Sequence, residues 1–127
     1  MNPSSPKLRH VIIGVGAGVF AMHRPALDLP DVELAAVCDI NAEAGAPIAE
    51  ALGVPFYTDY RPMLAETHPD VAVIMTPHPA HAPIAIDALR AGAHVLVEKP
   101  MAVQVGEADE MIETAQQAGR LLAVNFQ

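Results

Sequence analysis

Short, continuous apolar runs alternate along the chain with segments that carry helix signals. The runs occupy residues 11–14, 34–38, 71–75, 94–97 and 121–124, with a weaker sixth run at residues 54–57. Because they lack the alternation of apolar and polar positions that a half-solvated strand shows, they predict strands buried on both faces, as in a parallel sheet.

The segments between these runs predict helices. Expected helices cover residues 41–52, 60–66, 83–91 and 105–118, with a short one after Gly18. Asn41 is a suitable N-cap and Gly53 a suitable helix end. Pro83 fits a first helical turn, and Gly92 ends that helix.

The order of elements is therefore strand–helix, five times, closed by a sixth strand. This order predicts an α/β fold, a doubly wound parallel sheet of about six strands with helices on both faces. We expect residues 1–7 to form a flexible tail and residues 8–127 to form one domain. The chain ends three residues after the last predicted strand, at the edge where open α/β sheets bind ligands. We therefore expect a fragment or an isolated first domain.

Charge and cysteine content exclude several classes of protein. Only seven of the 127 residues are Lys or Arg, and the formal net charge is −8, which argues against a nucleic-acid or anionic-membrane surface. The single cysteine, Cys38, excludes an internal disulfide framework and a Cys-rich zinc site. With no apolar stretch of about 18 residues and no signal-peptide pattern, we expect a cytoplasmic protein without a membrane segment.

A glycine-rich turn follows the first predicted strand, with glycines at positions 14, 16 and 18. Glycines at this place allow the backbone to approach a pyrophosphate closely. The spacing departs from G-x-G-x-x-G, since the third position falls on Val19 when counted from Gly14 and on Ala21 when counted from Gly16. The alternative is an ordinary tight turn between strand and helix.

Asp39 ends the second predicted strand, 25 residues after Gly14. A dinucleotide-binding fold places the acid that binds the adenosine ribose hydroxyls close to this position. The alternative is an Asp that only initiates the following helix. If it binds the ribose, its carboxylate repels a 2′-phosphate. No Lys or Arg lies between Asp39 and Arg61 to reverse this, so the sequence favours NAD over NADP.

A proline-rich loop with two histidines follows the fourth predicted strand. Thr76, Pro77 and His78 begin a rigid segment that fits alongside a nicotinamide ribose, and His81 lies three residues further on. The two histidines also suggest a metal pair, but no Cys, Asp or Glu nearby completes a ligand set, so we expect no metal site. His81 is equally compatible with local capping or packing.

Charged residues leave the fifth predicted strand at the same edge. Lys99, between Glu98 and Pro100, is placed to donate a hydrogen bond to a substrate oxygen. The alternative is a solvated charge pair at a strand end. Asn125 and Gln127 follow the sixth strand and are also candidates to reach the cofactor.

With these residues placed, the chain resembles the amino-terminal domain of the Gfo/Idh/MocA (glucose–fructose oxidoreductase / inositol dehydrogenase) family, from Leu8 onward. The motifs that carry the resemblance are the strand into Gly14-Val-Gly16, Ala36-Val-Cys-Asp39, Val73-Ile-Met-Thr-Pro-His78 with His81, and Ala91-Gly-Ala-His-Val-Leu-Val-Glu-Lys-Pro100. The resemblance implies a Rossmann-type fold that binds NAD(P).

The resemblance also assigns roles to individual residues. It implies that Lys99 belongs to the active site. It places Thr76, Pro77, His78 and Glu98 at the nicotinamide end. The remaining cofactor contacts are expected from Gly14, Gly16, Gly18, Val19, Phe20, Asp39, His81 and Asn125. Family members continue into a second domain that supplies the substrate pocket, a catalytic histidine with a nearby aspartate, and the oligomer interface.

The leading hypothesis is an NAD(P)-dependent oxidoreductase represented by its cofactor domain. The full-length protein would transfer a hydride between nicotinamide and a hydroxyl or carbonyl carbon of a sugar or cyclitol, with homo-oligomers formed through the second domain. The fragment alone would bind cofactor without turnover. The alternative is a non-catalytic dinucleotide-binding sensor or accessory module. A coenzyme A-binding domain is a weaker hypothesis, because the Asp39 carboxylate disfavours the 3′-phosphate that coenzyme A carries on its ribose.

Overall fold

A six-stranded parallel sheet forms the centre of the molecule. The computed structural model describes residues 6–16 and 18–126. The strands are β1 (Leu8–Ile13), β2 (Val32–Cys38), β3 (Phe56–Tyr57), β4 (Val71–Ile74), β5 (His94–Glu98) and β6 (Leu122–Asn125). Their order in the sheet is β3-β2-β1-β4-β5-β6, and every neighbouring pair is parallel. The chain reverses its direction of travel across the sheet between β1 and β4, which is where doubly wound folds bind ligands.

Within the described residues, five α-helices and two short 3₁₀ segments connect the strands. The α-helices are α1 (Val19–His23), α2 (Ala42–Leu52), α3 (Tyr60–Thr67), α4 (His81–Arg90) and α5 (Val105–Ala118), and the 3₁₀ segments are Arg24–Asp28 and His78–Ala80. Asn41 caps α2 by accepting a hydrogen bond from Ala44 N at 3.3 Å, and Gly53 ends it with a φ of +70°, as predicted.

The helices lie on both faces of the sheet, which confirms the predicted architecture. Alternate strand residues such as Val11 and Ile13 pack with side chains from α3, α4 and α5 in one core. Ile12 and its counterparts on other strands point to the opposite face and pack with Phe20 of α1 and Ala49 of α2. The apolar runs are continuous because both sets of positions are buried.

Several boundaries differ from the predicted ones. β1 begins at Leu8, three residues before the apolar run, because Leu8 N donates to Asp31 O at 2.8 Å and extends the pairing with β2. α4 begins at His81, so Pro83 is its third residue; a proline fits there because the first four N–H groups of a helix have no partner within it. Residues 1–5 of the predicted tail, Ala17 in the glycine turn and Gln127 lie outside the described residues.

Candidate functional site

The segments that follow the strands meet along the carboxyl edge of the sheet, as the parallel topology predicts. A cleft of about 730 Å³ opens there above the ends of β1, β2, β3 and β4. Its walls include Gly14, Gly16, Asp39, Thr76 and Pro77, which come from three different strand ends. Lys99 and Asn125 lie further along the same edge, at the ends of β5 and β6.

Gly14 cannot be replaced by another residue without moving the backbone of a neighbouring strand. Its φ is +91°, and a Cβ at this position would lie 2.8 Å from the Met75 carbonyl carbon and from Thr76 N. The turn therefore passes directly against the end of β4. A side chain would disrupt this contact whatever its polarity.

Asp39 holds the next part of the glycine turn. Its Oδ2 accepts hydrogen bonds from Val15 N at 3.0 Å and Gly16 N at 2.8 Å, and its Oδ1 accepts one from Asn41 N at 2.9 Å. A Cβ on Gly16 would lie 3.0 Å from Oδ2. The residue expected at the ribose therefore also organises the turn and the start of α2, so the helix-initiating alternative and the cofactor-binding one are compatible.

The other residues predicted at the turn place fewer constraints on its backbone. Gly18 has open space where a Cβ would stand, so the turn does not require glycine there. Phe20 is 9% exposed and packs in the core, which leaves only its backbone available to a ligand. Val19 is partly buried against the same core.

Thr76 presents an unused hydroxyl at the cleft. Its Oγ1 is buried and has no hydrogen-bond partner among residues 6–16 and 18–126. A buried hydroxyl without a partner is costly, so its position in the cleft wall suits a ligand that hydrogen-bonds to it. Pro77 and His78 beside it are exposed.

His81 is fully buried, with 0% exposure. Its Nδ1 lies 2.7 Å from Pro100 O and its Nε2 lies 2.8 Å from Thr76 O. Both ring nitrogens are therefore used by the protein itself. The structure favours the local-packing alternative over direct contact with a cofactor.

Glu98 is buried at 7% exposure and is held by two side chains. Its Oε1 lies 2.6 Å from His23 Nε2 and accepts a 2.8 Å hydrogen bond from Asn125 Nδ2. Burial alone would raise the pKa of this carboxyl. The hydrogen bonds from His23 and Asn125, the charge of His23 and the Lys99 amide oppose it and hold the pKa below its ordinary value. Glu98 is therefore a buried carboxylate at the edge of the sheet.

Lys99 is exposed, and its ammonium makes no ion pair with any residue that the structure describes. The peptide bond to Pro100 is cis. Since neighbouring Glu98 is engaged with His23, the two residues do not form the solvated charge pair considered as an alternative. The ammonium is available to bind an oxygen of a ligand.

Three contributors to this edge are not among the site residues predicted from the sequence. His23 is one, since its partner Glu98 lies 75 residues away. Gly45 is another: a Cβ there would lie 2.5 Å from Phe56 Cε1 and 2.9 Å from Asp39 Cβ, so α2 approaches β2 closely. An isolated glycine inside a helical pattern is the signal that indicates such a packing constraint. The third is Arg61, which lines the cleft.

In the described part of the chain, no group of three or more His, Cys, Asp or Glu side chains is arranged to hold a metal ion. None of the helices in this part combines the length and the apolar character that a membrane span needs.

Comparison with known proteins gives one consistent family. Residues 8–126 match the model of the Gfo/Idh/MocA oxidoreductase family, NAD-binding Rossmann fold. The chain is similar to D-glucoside 3-dehydrogenase of Escherichia coli K12, at 38% identity over 97% of this chain and 35% of that protein. It is also similar to inositol 2-dehydrogenase of Salmonella typhimurium LT2, at 34% identity over 94% of this chain and 37% of that protein.

A solved structure agrees with this family. The WlbA dehydrogenase from Chromobacterium violaceum, determined with NADH and UDP-GlcNAcA, superimposes with a TM-score of 0.90 at 31% identity, over 96% of this chain and 36% of that one. The chain thus spans about a third of the length of the relatives it matches. On its motifs, its fold and the match over residues 8–126, the chain belongs to the NAD-binding Rossmann-fold oxidoreductases of the Gfo/Idh/MocA family.

Proposed function

We propose that this chain forms the cofactor-binding part of an oxidoreductase that transfers a hydride between NAD and a hydroxyl or carbonyl carbon of a sugar or cyclitol. The observation that carries the proposal is the Asp39 carboxylate, fixed by the Val15 and Gly16 amides in the wall of a cleft of about 730 Å³. A carboxylate at the end of the second strand is suited to accept hydrogen bonds from a ribose diol.

The residues present fit a dinucleotide. Gly14 and Gly16 line the cleft and hold the turn close to the end of β4 and to Asp39, because a Cβ at either position would meet protein atoms at 3.0 Å or less. Thr76 offers a buried hydroxyl that has no partner among the described residues. When bound, the nicotinamide would supply the hydride acceptor or donor.

The preference for NAD over NADP also rests on charge in the cleft. Arg61 lines the cleft together with Asp39. Its guanidinium lies 3.5 Å from Asp59 and 3.9 Å from Asp87 and sits over the Tyr60 ring. Because two carboxylates already balance this cation, we expect it to compensate a 2′-phosphate poorly, while Asp39 repels one.

Lys99 is the proposed catalytic residue of the chain. Its exposed ammonium would donate a hydrogen bond to the substrate oxygen and orient the carbon for hydride transfer. The proposed substrate class follows two relatives, D-glucoside 3-dehydrogenase and inositol 2-dehydrogenase, whose names refer to a glucoside and to inositol. Because the family resemblance assigns the proton acceptor to a second domain, we expect these 127 residues to bind cofactor without turning over substrate.

The cellular setting is a further part of the proposal. Cys38 is free and buried, and burial, together with the charges of Asp39 and Asp59, raises the pKa of its thiol to about 12. A thiol in this state reacts slowly. We propose a reducing, cytoplasmic compartment on the cysteine content instead, because a sequence with one cysteine has no internal disulfide framework.

Calorimetric titration with NADH and NADPH tests the cofactor site. We expect NADH to bind at least about tenfold more tightly than NADPH. Asp39→Asn should weaken NADH binding. It should also reduce the difference in affinity between NADH and NADPH, because the neutral amide no longer repels the 2′-phosphate. Asp31→Asn removes an exposed carboxylate away from the cleft and serves as the control. Equal or tighter binding of NADPH by the unaltered chain would contradict the proposed preference, and no binding of either would contradict the proposed function.

A further inference from the structure

His81 connects two loops of the candidate site that otherwise belong to different strands. Thr76 O, on the loop after β4, lies 2.8 Å from His81 Nε2. Pro100 O, on the loop after β5, lies 2.7 Å from His81 Nδ1. The ring is completely buried and stands at the start of α4, so it cannot exchange these partners for water.

The chemistry of these contacts requires the ring to donate twice. Carbonyl oxygens only accept hydrogen bonds, and a neutral imidazole has one N–H. Only the doubly protonated ring satisfies both carbonyls, and both distances lie in the range of about 2.7–2.9 Å that charge-assisted hydrogen bonds show.

Few charged groups face this ring. His78 lies edge-on to it, with ring centroids 5.7 Å apart. In the described part of the chain, no carboxylate lies within ion-pair distance of either ring nitrogen. The two carbonyl oxygens are therefore the polar groups that the structure places against the ring nitrogens.

We propose that His81 is a positioning residue that fixes the Thr76–Pro77 loop relative to the Lys99–Pro100 loop through hydrogen bonds donated by both ring nitrogens. The Thr76 hydroxyl and the Lys99 ammonium belong to these two loops, so His81 sets the spacing between them without touching a ligand. Its importance for cofactor binding rests on the proposed function; the connection between the loops does not.

Two amide variants separate the two hydrogen bonds. In His81→Asn the side-chain nitrogen stands at the δ position and can still reach Pro100 O, but nothing replaces the bond to Thr76 O. In His81→Gln the nitrogen stands at the ε position and keeps the Thr76 contact instead. His10→Gln is the matched control, because His10 Nδ1 also lies 2.9 Å from a carbonyl oxygen, that of Leu8, but at the start of β1.

Nitrogen-15 relaxation of the backbone amides measures the result. We expect the order parameters of the His78 and Ala80 amides to fall from about 0.85 toward 0.6 in His81→Asn, with those of Met101 and Ala102 unchanged. The His81→Gln variant should show the opposite pattern. Equal loosening of both loops in both variants, loosening that extends through the strands, or no loosening would each overturn the proposal.

The unaltered chain provides a test that does not depend on a variant folding. Nitrogen-15 chemical shifts of the His81 ring report which of its nitrogens donate, and a nitrogen that faces either carbonyl without a proton would overturn the proposal. NADH titration of the same samples tests the proposed cofactor site separately from the positioning role of His81. If the unaltered chain binds no NADH, the proposed function fails, while the ring shifts and order parameters still decide the role of His81.

Discussion

His23 and Glu98 are 75 residues apart in the chain, yet His23 Nε2 lies 2.6 Å from Glu98 Oε1 across the carboxyl edge of the sheet. Asn125 donates to the same oxygen at 2.8 Å. One buried carboxylate therefore connects the end of α1 with the ends of β5 and β6. It also lies directly before Lys99, so the backbone that carries the proposed catalytic lysine is fixed on its amino-terminal side.

Replacing this carboxylate by an amide should cost stability in a pH-dependent way. We expect Glu98→Gln to lower the free energy of unfolding by roughly 1–3 kcal/mol near neutral pH, because a charged acceptor of two hydrogen bonds is lost. The pKa of Glu98 is lowered in the folded chain. The stabilisation is therefore complete above the unfolded pKa of about 4.3 and disappears as the pH falls through the lower folded pKa.

Urea unfolding of both chains between neutral and acid pH measures the difference. Glu113→Gln is the control, since Glu113 is an exposed carboxylate whose change should stay within about 0.5 kcal/mol. If the difference in unfolding free energy between wild type and Glu98→Gln grew as the pH fell, that result would contradict the role assigned to this carboxylate.

Two glycines of the turn, Gly14 and Gly18, should respond unequally to substitution. Gly14→Ala should destabilise the fold by roughly 2 kcal/mol or more, because it combines a φ of +91° with a 2.8 Å approach to the end of β4. Gly18→Ala should change stability by less than about 1 kcal/mol, since Gly18 has a φ of −60° and open space around its Cβ position. Chemical denaturation ranks the two variants, and similar losses in both would refute the assignment.

A second pair of glycines tests the packing of α2 against the sheet. Alanine is intrinsically better than glycine in a helix by about 1 kcal/mol. We nevertheless expect Gly45→Ala to destabilise, because its Cβ would meet Phe56 at 2.5 Å and Asp39 Cβ at 2.9 Å. Gly106 in α5 has open space where a Cβ would stand. Gly106→Ala should therefore leave the free energy of unfolding unchanged or raise it. Chemical denaturation of both variants gives the sign of the change in unfolding free energy. A stabilising Gly45→Ala would show that α2 has room for a Cβ beside Phe56 and Asp39.

The tyrosines offer an optical test at alkaline pH. Burial, then the 2.5 Å hydrogen bond to Asp87 and the charge of that carboxylate, raises the pKa of Tyr60 to about 12. The pKa of Tyr57 is also raised, mainly by its hydrogen bond to Glu66. The protein has two tyrosines and no tryptophan, so phenolate absorbance is easily assigned.

The sign of the Tyr60 effect follows from its raised pKa. Its contribution to stability is present below the unfolded pKa of about 10 and is lost as the pH rises through the folded value. We expect less phenolate in the folded chain than in urea at a pH near the unfolded pKa. Tyr60→Phe should remove the phenolate signal that titrates at about 12 and weaken the alkaline loss of stability. Ordinary titration of Tyr60 in the folded chain would contradict the hydrogen bond to Asp87.

Local patterns predict the elements of this fold well. Buried strands appear as continuous apolar runs because both faces of the sheet are covered, and Asn41 and Gly53 mark the ends of α2 through capping chemistry that acts within a few residues. The start of β1 is less evident, because it depends on pairing with residues that follow Asp31 rather than on apolar character.

The site is predictable in position but not in detail. Parallel topology places Asp39, Thr76 and Lys99 at one edge, and their order along the chain is enough to infer it. The distinction between Gly14 and Gly18 depends on the backbone near Met75, about sixty positions away. The two partners of His81 are carbonyl oxygens, which every residue carries, so no residue type in the sequence identifies them.

The double engagement of Asp39 restricts how this lineage can change its cofactor. The same carboxylate oxygen that holds the Val15 and Gly16 amides belongs to the side chain expected to discriminate against a 2′-phosphate. A substitution by a side chain without an acceptor oxygen would leave these two backbone donors unsatisfied and would release the turn. The acid can therefore be exchanged without remodelling the loop only for a residue that keeps an oxygen at this place, so the shape of the turn limits which side chains can set the cofactor preference.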